Sequence, residues 1–167
     1  LQNNFDVKII IAPHTIDRDR LKNFQNSISV SSILFSEKAG KKLSDYKVLF
    51  IDTIGILTKI YSYADIAYVG GAMGTTGLHN ILEPATFGIP IITGKNFEKF
   101  PEAKELESIK GLFAVSSKED LITIFENLII DSEFRIRSGA ISKKYIQENT
   151  GATKVISKYM EENFVKT

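Results

Sequence analysis

Six short apolar stretches recur along this chain with helix-sized intervals between them: Val7–Ala12, Val30–Phe35, Lys47–Ile51, Ile66–Val69, Ile89–Ile92 and Leu112–Val115. Runs of this length bounded by turn residues read as short strands, Lys47–Ile51 as one buried on both faces and Val30–Phe35 as a weakly alternating one. The intervals carry helix signals. Asp17–Asn26 is charged, with Asp17 placed as an N-cap, and Ile54–Ala64 sets Ile54, Leu57, Ile60, Tyr61 and Ala64 on one helical face. Further helices begin near Asn80, Pro101 and Ser117. Alternation of strand and helix predicts a parallel sheet, and right-handed crossovers put helices on both of its faces. The expected fold is α/β, a Rossmann-like doubly wound parallel sheet, with a strand order that the pattern leaves open.

After Ser132 the pattern becomes wholly helical, with Phe134, Ile136, Ile141, Tyr145 and Ile146 before a break at Gly151, and Val155, Ile156, Tyr159 and Phe164 beyond it. A terminal helical pair is expected, packed on the sheet or on a neighbour outside this chain, with some apolar surface left exposed. Lys38–Lys47 reads as a polar surface loop. A chain of 167 residues with 43% hydrophobic content buries one sizeable core rather than two, so 1–167 is read as one domain.

Charge narrows the partners. Lys plus Arg number 21 against 20 Asp plus Glu, which provides no basic footprint for non-specific nucleic-acid binding. The chain has no cysteine, which removes disulfides, a thiol nucleophile and thiolate metal sites. No apolar run approaches the roughly 20 residues that span a bilayer, so the chain is expected to be soluble. It starts at Leu1 without an initiator Met and enters its first strand almost at once, as a fragment of a longer protein would.

The chemistry concentrates in Ala67–Gly94, AYVGGAMGTTGLHNILEPATFGIPIITG. It reads as strand, glycine-rich turn, helix start, short helix and strand, the order in which α/β domains hold an anion at the carboxyl edge of a sheet. Gly70, Gly71, Gly74 and Gly77, with Thr75 and Thr76 between them, bring bare backbone N–H groups to that edge. The spacing is not that of the dinucleotide fingerprint, and no acidic residue stands where that motif reads a ribose. A tight turn would use the same glycines.

His79, Asn80 and Glu83 add polar groups at the first turn of the following helix. A phosphate is stabilised there by unpaired N–H groups, and Glu83 can accept hydrogen bonds from both hydroxyls of a ribose. Each residue also has an ordinary reading: Asn80 as an N-cap, Glu83 as a charge favoured by the helix dipole, His79 as a loop residue. His79 and Glu83 have the i, i+4 spacing of metal ligands, but no other His lies near them in sequence, so no metal site is expected. His14, after Pro13 at the end of the first strand, falls at the same sheet edge if the strands are parallel.

The segments PHT (Pro13–Thr15), DTIGILTKIYSYADIAYVGG (Asp52–Gly71) and GLHNILEPATFGIPIITG (Gly77–Gly94) resemble the 3-deoxy-D-manno-octulosonic acid (Kdo) transferase family, carboxyl-terminal half. The likeness runs from about Val7 to Phe125 and rests on the combination D-T-x-G, Y-A-D, V-G-G and H-N-x-L-E-P-A.

The resemblance implies a two-lobed GT-B glycosyltransferase of which residues 1–167 are the donor lobe. Such enzymes are inverting and metal-independent, need no cofactor, and move Kdo from CMP-Kdo to a lipid A precursor, lipid IVA, at the cytoplasmic face of the bacterial inner membrane, in lipopolysaccharide core biosynthesis. It implies donor contacts from His14, Gly70, Gly71, Gly74, Thr75, Thr76, Gly77, His79, Asn80 and Glu83, with Lys95 as a further one. The family's general base is a carboxylate of the amino-terminal lobe, which also receives the acceptor and brings the parent protein to the membrane. No catalytic residue is therefore expected in this chain, and it should not transfer sugar by itself. Where the family has P-R-H-P, this chain has Pro13 in place of the arginine, so Arg18 or Arg20 replaces that phosphate contact only if the loop folds back.

Two other readings remain open. Another GT-B transferase, or an epimerase of the same architecture using a UDP-sugar, would keep the glycine loop and Glu83 but prefer uridine. A non-catalytic Rossmann-like binding module would use Gly70–Gly77 only as a turn.

Overall fold

The computed structural model describes residues 5–75 and 77–164. Strands and helices alternate as the sequence predicts, and every strand pairing is parallel. The strands are shared between two three-stranded sheets, and the chain divides into two compact units, Leu1–Ile60 and Tyr61–Thr167.

In the first unit β1 (Ile9–Ile11), β2 (Ser32–Leu34) and β3 (Val48–Phe50) form a sheet in the order β1-β3-β2. The central strand is wholly apolar, with Val48 and Phe50 both buried. Helix α1 (Arg18–Ser27) starts where expected: the Asp17 carboxylate accepts from the Asp19 and Arg20 amides, satisfying donors the first turn leaves open. It returns Leu21 to a core of Leu34, Val48 and Phe50. Fully burying a side chain the size of Phe50 contributes about 1.5–3 kcal/mol. Lys38–Lys47 is exposed over most of its length, as a polar loop should be.

The expected long helix over Ile54–Ala64 is not formed; only α2 (Leu57–Tyr61) is helical, and Ile54 is 88% exposed. Gly55 lies at φ +84°, a left-handed conformation that no helix continues through.

In the second unit β4 (Ala67–Tyr68), β5 (Ile91–Gly94) and β6 (Leu112–Val115) form a sheet in the order β4-β5-β6, with β5 buried throughout. Strand geometry sends neighbouring side chains to opposite faces, and here that builds two cores. Ile91 packs with Ala85, Ala103 and Leu106, carried by α3 (Leu82–Thr86) and α4 (Pro101–Ser108). Ile92 packs with Leu128 of α5 (Lys118–Ile130), flanked by Leu121, Ile124 and Phe125. Helices thus cover both faces of this sheet.

α6 (Ser132–Glu148) lies against α3 at backbone contact: a Cβ on Gly139 would stand 2.0 Å from the Gly88 carbonyl oxygen. Ser142 on the same helix donates to the Gly111 carbonyl at 2.9 Å, so the buried hydroxyl is satisfied. α7 (Ala152–Phe164) follows the break at Gly151 and buries none of its residues; Val155, Ile156, Tyr159, Met160 and Phe164 are all exposed. The exposed apolar helix is the surface the sequence anticipates. Among the described residues no helix is long and apolar enough to cross a membrane.

Candidate functional site

The chain leaves β4 at Tyr68 and turns back on itself through Val69–Asn80. The Val69 amide and carbonyl still belong to the sheet, the first bonding the Ile92 carbonyl at 2.9 Å, the second accepting the buried Thr93 hydroxyl at 2.9 Å. Beyond them the loop closes: the His79 amide donates to the Gly70 carbonyl at 3.2 Å. Gly71 faces the returning strand so closely that a Cβ would lie 2.2 Å from the Gly77 oxygen, and its φ of +87° excludes other residues as well. Ala72 follows at φ +54°, an uncommon angle for a non-glycine residue.

A second clamp comes from the end of β5. A Cβ on Gly94 would stand 2.3 Å from both the Ala72 carbonyl carbon and the Met73 nitrogen. The Asn96 amide donates to the Ala72 carbonyl at 2.8 Å, and its side-chain Nδ2 donates to the Gly74 carbonyl at 3.0 Å. Asn96 thus latches the loop with two bonds. Sequence reasoning gives Asn96 no role; the signal was an amide side chain just past a strand that ends in glycine.

The other three loop glycines are different: a Cβ on Gly70 would meet the His79 ring at an ordinary 3.4 Å. Among the described residues nothing lies within 4 Å of a Cβ built on Gly74, and one on Gly77 meets only the Phe100 ring at 3.7 Å, an ordinary contact. Neither has a positive φ. Packing therefore requires glycine at Gly71 and Gly94 but not at Gly74 or Gly77, whose bare backbone is exposed together with Met73 and Thr75. Thr76 lies outside the described residues.

Helix α3 begins at Leu82, later than the expected start near Asn80, and is five residues long. One turn supplies little of a macrodipole, so the loop amides rather than the helix end are the group suited to an anion. The Asn80 Oδ1 accepts from the Leu82 amide at 3.0 Å while its Nδ2 donates to Glu83 Oε1 at 3.0 Å. Glu83 is half-buried, anchored by the buried Pro84 and Ala85 that follow it. Tyr61 stands on the same flank: burial and then the Glu83 charge push its hydroxyl above its ordinary pKa, and its ring lies 6.3 Å from that of Phe87. Lys95 is exposed, and its carbonyl accepts from the Phe97 amide at 3.1 Å.

Known proteins give this geometry a context. No family model matches the chain. A 3-deoxy-D-manno-octulosonic acid transferase of Haemophilus influenzae is 36% identical over 123 residues, 70% of this chain and 29% of that protein. Another, from Chlamydia muridarum, is 32% identical over 135 residues, 80% of this chain and 31% of its own. The chain belongs to the Kdo transferase family. It spans about three-tenths of the length of the curated relatives it matches. Its fold is that of a crystal structure described as the C-terminal CMP-Kdo binding domain of WaaA from Acinetobacter baumannii, with a TM-score of 0.77 over 87% of this chain and 77% of the other, at 20% identity.

The remaining positions that the Kdo transferase resemblance points to lie in the first unit. His14 is exposed just past the carboxyl end of β1, in a hollow lined also by Asp17, Arg20 and Phe24. Arg20 accordingly shares a hollow with His14. Arg18 acts elsewhere, as a charge on Asp52. Asp52, of the D-T-x-G segment, is buried, which by itself would raise its pKa, yet it is held below the usual carboxylate value by hydrogen bonds from the Ser36 hydroxyl and amide and by the Arg18 charge. It ties the end of β3 to the turn after β2.

Proposed function

We propose that residues 1–167 are the donor-binding domain of a Kdo transferase, holding CMP-Kdo at the Val69–Asn80 loop. The observation that carries this reading is the contrast among the loop glycines. Gly71 and Gly94 are explained by backbone contact, whereas among the described residues a Cβ on Gly74 would meet nothing within 4 Å and one on Gly77 only the Phe100 ring at an ordinary 3.7 Å, so packing requires glycine at neither. A phosphate needs a bare, rigid backbone there, and a turn does not.

In this reading the loop amides receive the CMP phosphate and stabilise its charge as the bond to Kdo breaks, while Glu83 accepts from the ribose hydroxyls. His79 and Lys95 flank the donor. The attacking hydroxyl belongs to the lipid A precursor, lipid IVA, and loses its proton to a carboxylate on the amino-terminal lobe of the parent. Transfer is inverting and metal-independent, the parent works at the cytoplasmic face of the inner membrane, and this chain alone binds donor without transferring sugar.

The test is a titration of the isotope-labelled chain with CMP, UMP and AMP, following the amides of Gly71, Gly74, Gly77 and Asn80. CMP-selective shifts, lost in Glu83→Ala, are the expected result. Equal shifts with UMP would assign a UDP-sugar enzyme instead, and the absence of shifts with every nucleotide would return the loop to a structural turn.

A further inference from the structure

Asn80 makes two side-chain hydrogen bonds with two different atoms. Its Oδ1 accepts from the Leu82 amide and its Nδ2 donates to Glu83 Oε1, each at 3.0 Å. The amide orientation is fixed by this pair, since the reverse would set an N–H against an N–H and an oxygen against a carboxylate. As a cap, Asn, Asp and Ser are interchangeable. Only Asn gives the Leu82 amide an acceptor and the Glu83 carboxylate an N–H donor from separate atoms.

The carboxylate is otherwise poorly restrained by its helix, which is a single turn. Pro84 and Ala85 fix its backbone by burial, its charge acts on Tyr61 on one flank, and the bond from Asn80 holds one of its oxygens. A carboxylate oxygen has two lone pairs, so Oε1 can accept from Asn80 and from one further donor while Oε2 stays available. Two adjacent acceptors held in one orientation match a vicinal diol.

We propose that Asn80 is a positioning residue for Glu83, holding its carboxylate to accept the ribose 2′- and 3′-hydroxyls of the donor nucleotide, and does not itself bind the phosphate. The inference rests on the donor-site reading above and adds the source of its ribose selectivity. Asn80→Asp keeps the acceptor for the Leu82 amide and turns the donor into a repelling oxygen. It therefore separates the clamp from the cap.

The experiment measures dissociation constants of CMP and of 2′,3′-dideoxy-CMP by calorimetry, with thermal unfolding alongside, for the unmodified chain, Asn80→Asp, Asn80→Ser, Glu83→Ala and the Asn80→Asp/Glu83→Ala double variant. The unmodified chain is expected to prefer CMP by about tenfold or more, the scale of hydrogen bonds to a charged group. Asn80→Asp and Asn80→Ser should lose most of that preference while holding dideoxy-CMP and the unfolding temperature unchanged, and Asn80→Asp should add nothing to Glu83→Ala. Retained preference in Asn80→Asp, or equal weakening of both nucleotides, overturns the positioning role and leaves the donor site standing. CMP binding without preference in the unmodified chain overturns the ribose assignment with it, and no CMP binding overturns the donor site itself.

Discussion

Gly94 meets Ala72 backbone to backbone: a single added methyl group at Gly94 would sit 2.3 Å from the Ala72 carbonyl carbon. The end of β5 and the glycine loop are therefore a single packed unit, and the loop's shape is imposed by a neighbouring strand as much as by its own glycines. Backbone atoms cannot swing aside as a flexible side chain does, so the contact is intolerant. Gly94→Ala and Gly71→Ala should each cost about 1–3 kcal/mol or more in denaturant unfolding. An unchanged midpoint in either would show that the loop is free to yield.

Asn96→Ala removes the side-chain bond to the Gly74 carbonyl and leaves the backbone bond to Ala72 in place. Loss of one such bond should cost about 0.5–1.5 kcal/mol, with faster amide exchange confined to the segment from Ala72 to Gly74. Exchange that rises uniformly over the second unit would instead mark Asn96 as an ordinary stabilising residue.

Gly139 reverses a general rule. Gly→Ala inside a helix normally gains about 1 kcal/mol, but here the new Cβ would lie 2.0 Å from the Gly88 oxygen. Gly139→Ala should destabilise by about 1–3 kcal/mol, read from urea unfolding, and a gain in stability would contradict the close α3–α6 contact.

Tyr145 gives a pH dependence. Its hydroxyl donates to Glu105 Oε2 at 2.8 Å, and burial, that hydrogen bond and the Glu105 charge push its pKa from 10.0 up to about 12. A raised folded-state value means the contribution is whole below pH 10 and is lost as pH rises through about 12. Tyr145→Phe should thus be less stable than the unmodified chain at pH 9, and the difference between them should shrink as pH climbs from ten towards twelve. A difference independent of pH over that span would rule the coupling out.

How much of this was legible beforehand differs from element to element. Leu112–Val115 is a strand with the boundaries the sequence suggested, Asp17 caps its helix as read, and the helix expected near Ser117 begins there. These features are local, governed by side chains next to the backbone they satisfy. The failure at Ile54–Ala64 is equally instructive: apolar periodicity was present, but Gly55 in a left-handed conformation ended the helix before Ile54 could join it. The division of strands between two sheets was not legible, since pairing partners are set by contacts distant in sequence.

At the site, the residue types were visible and their division of labour was not. The glycines of this segment look alike in a sequence; only the backbone approach of Gly77 to Gly71 and of Ala72 to Gly94 separates those that packing requires from those it does not. The same holds for Asn80, which reads as a cap until its second bond, to Glu83, is seen.

The central claim, that the bare loop exists for a donor nucleotide, is tested most directly at Gly74, where an added Cβ would meet nothing within 4 Å among the described residues. Calorimetric titration of CMP into Gly74→Val, with its unfolding temperature measured in parallel, should show a fold as stable as the unmodified chain and CMP affinity reduced at least about tenfold, as expected when a branched side chain occupies the place of a phosphate and its hydrogen bonds are lost. CMP binding that survives Gly74→Val unchanged would contradict the account.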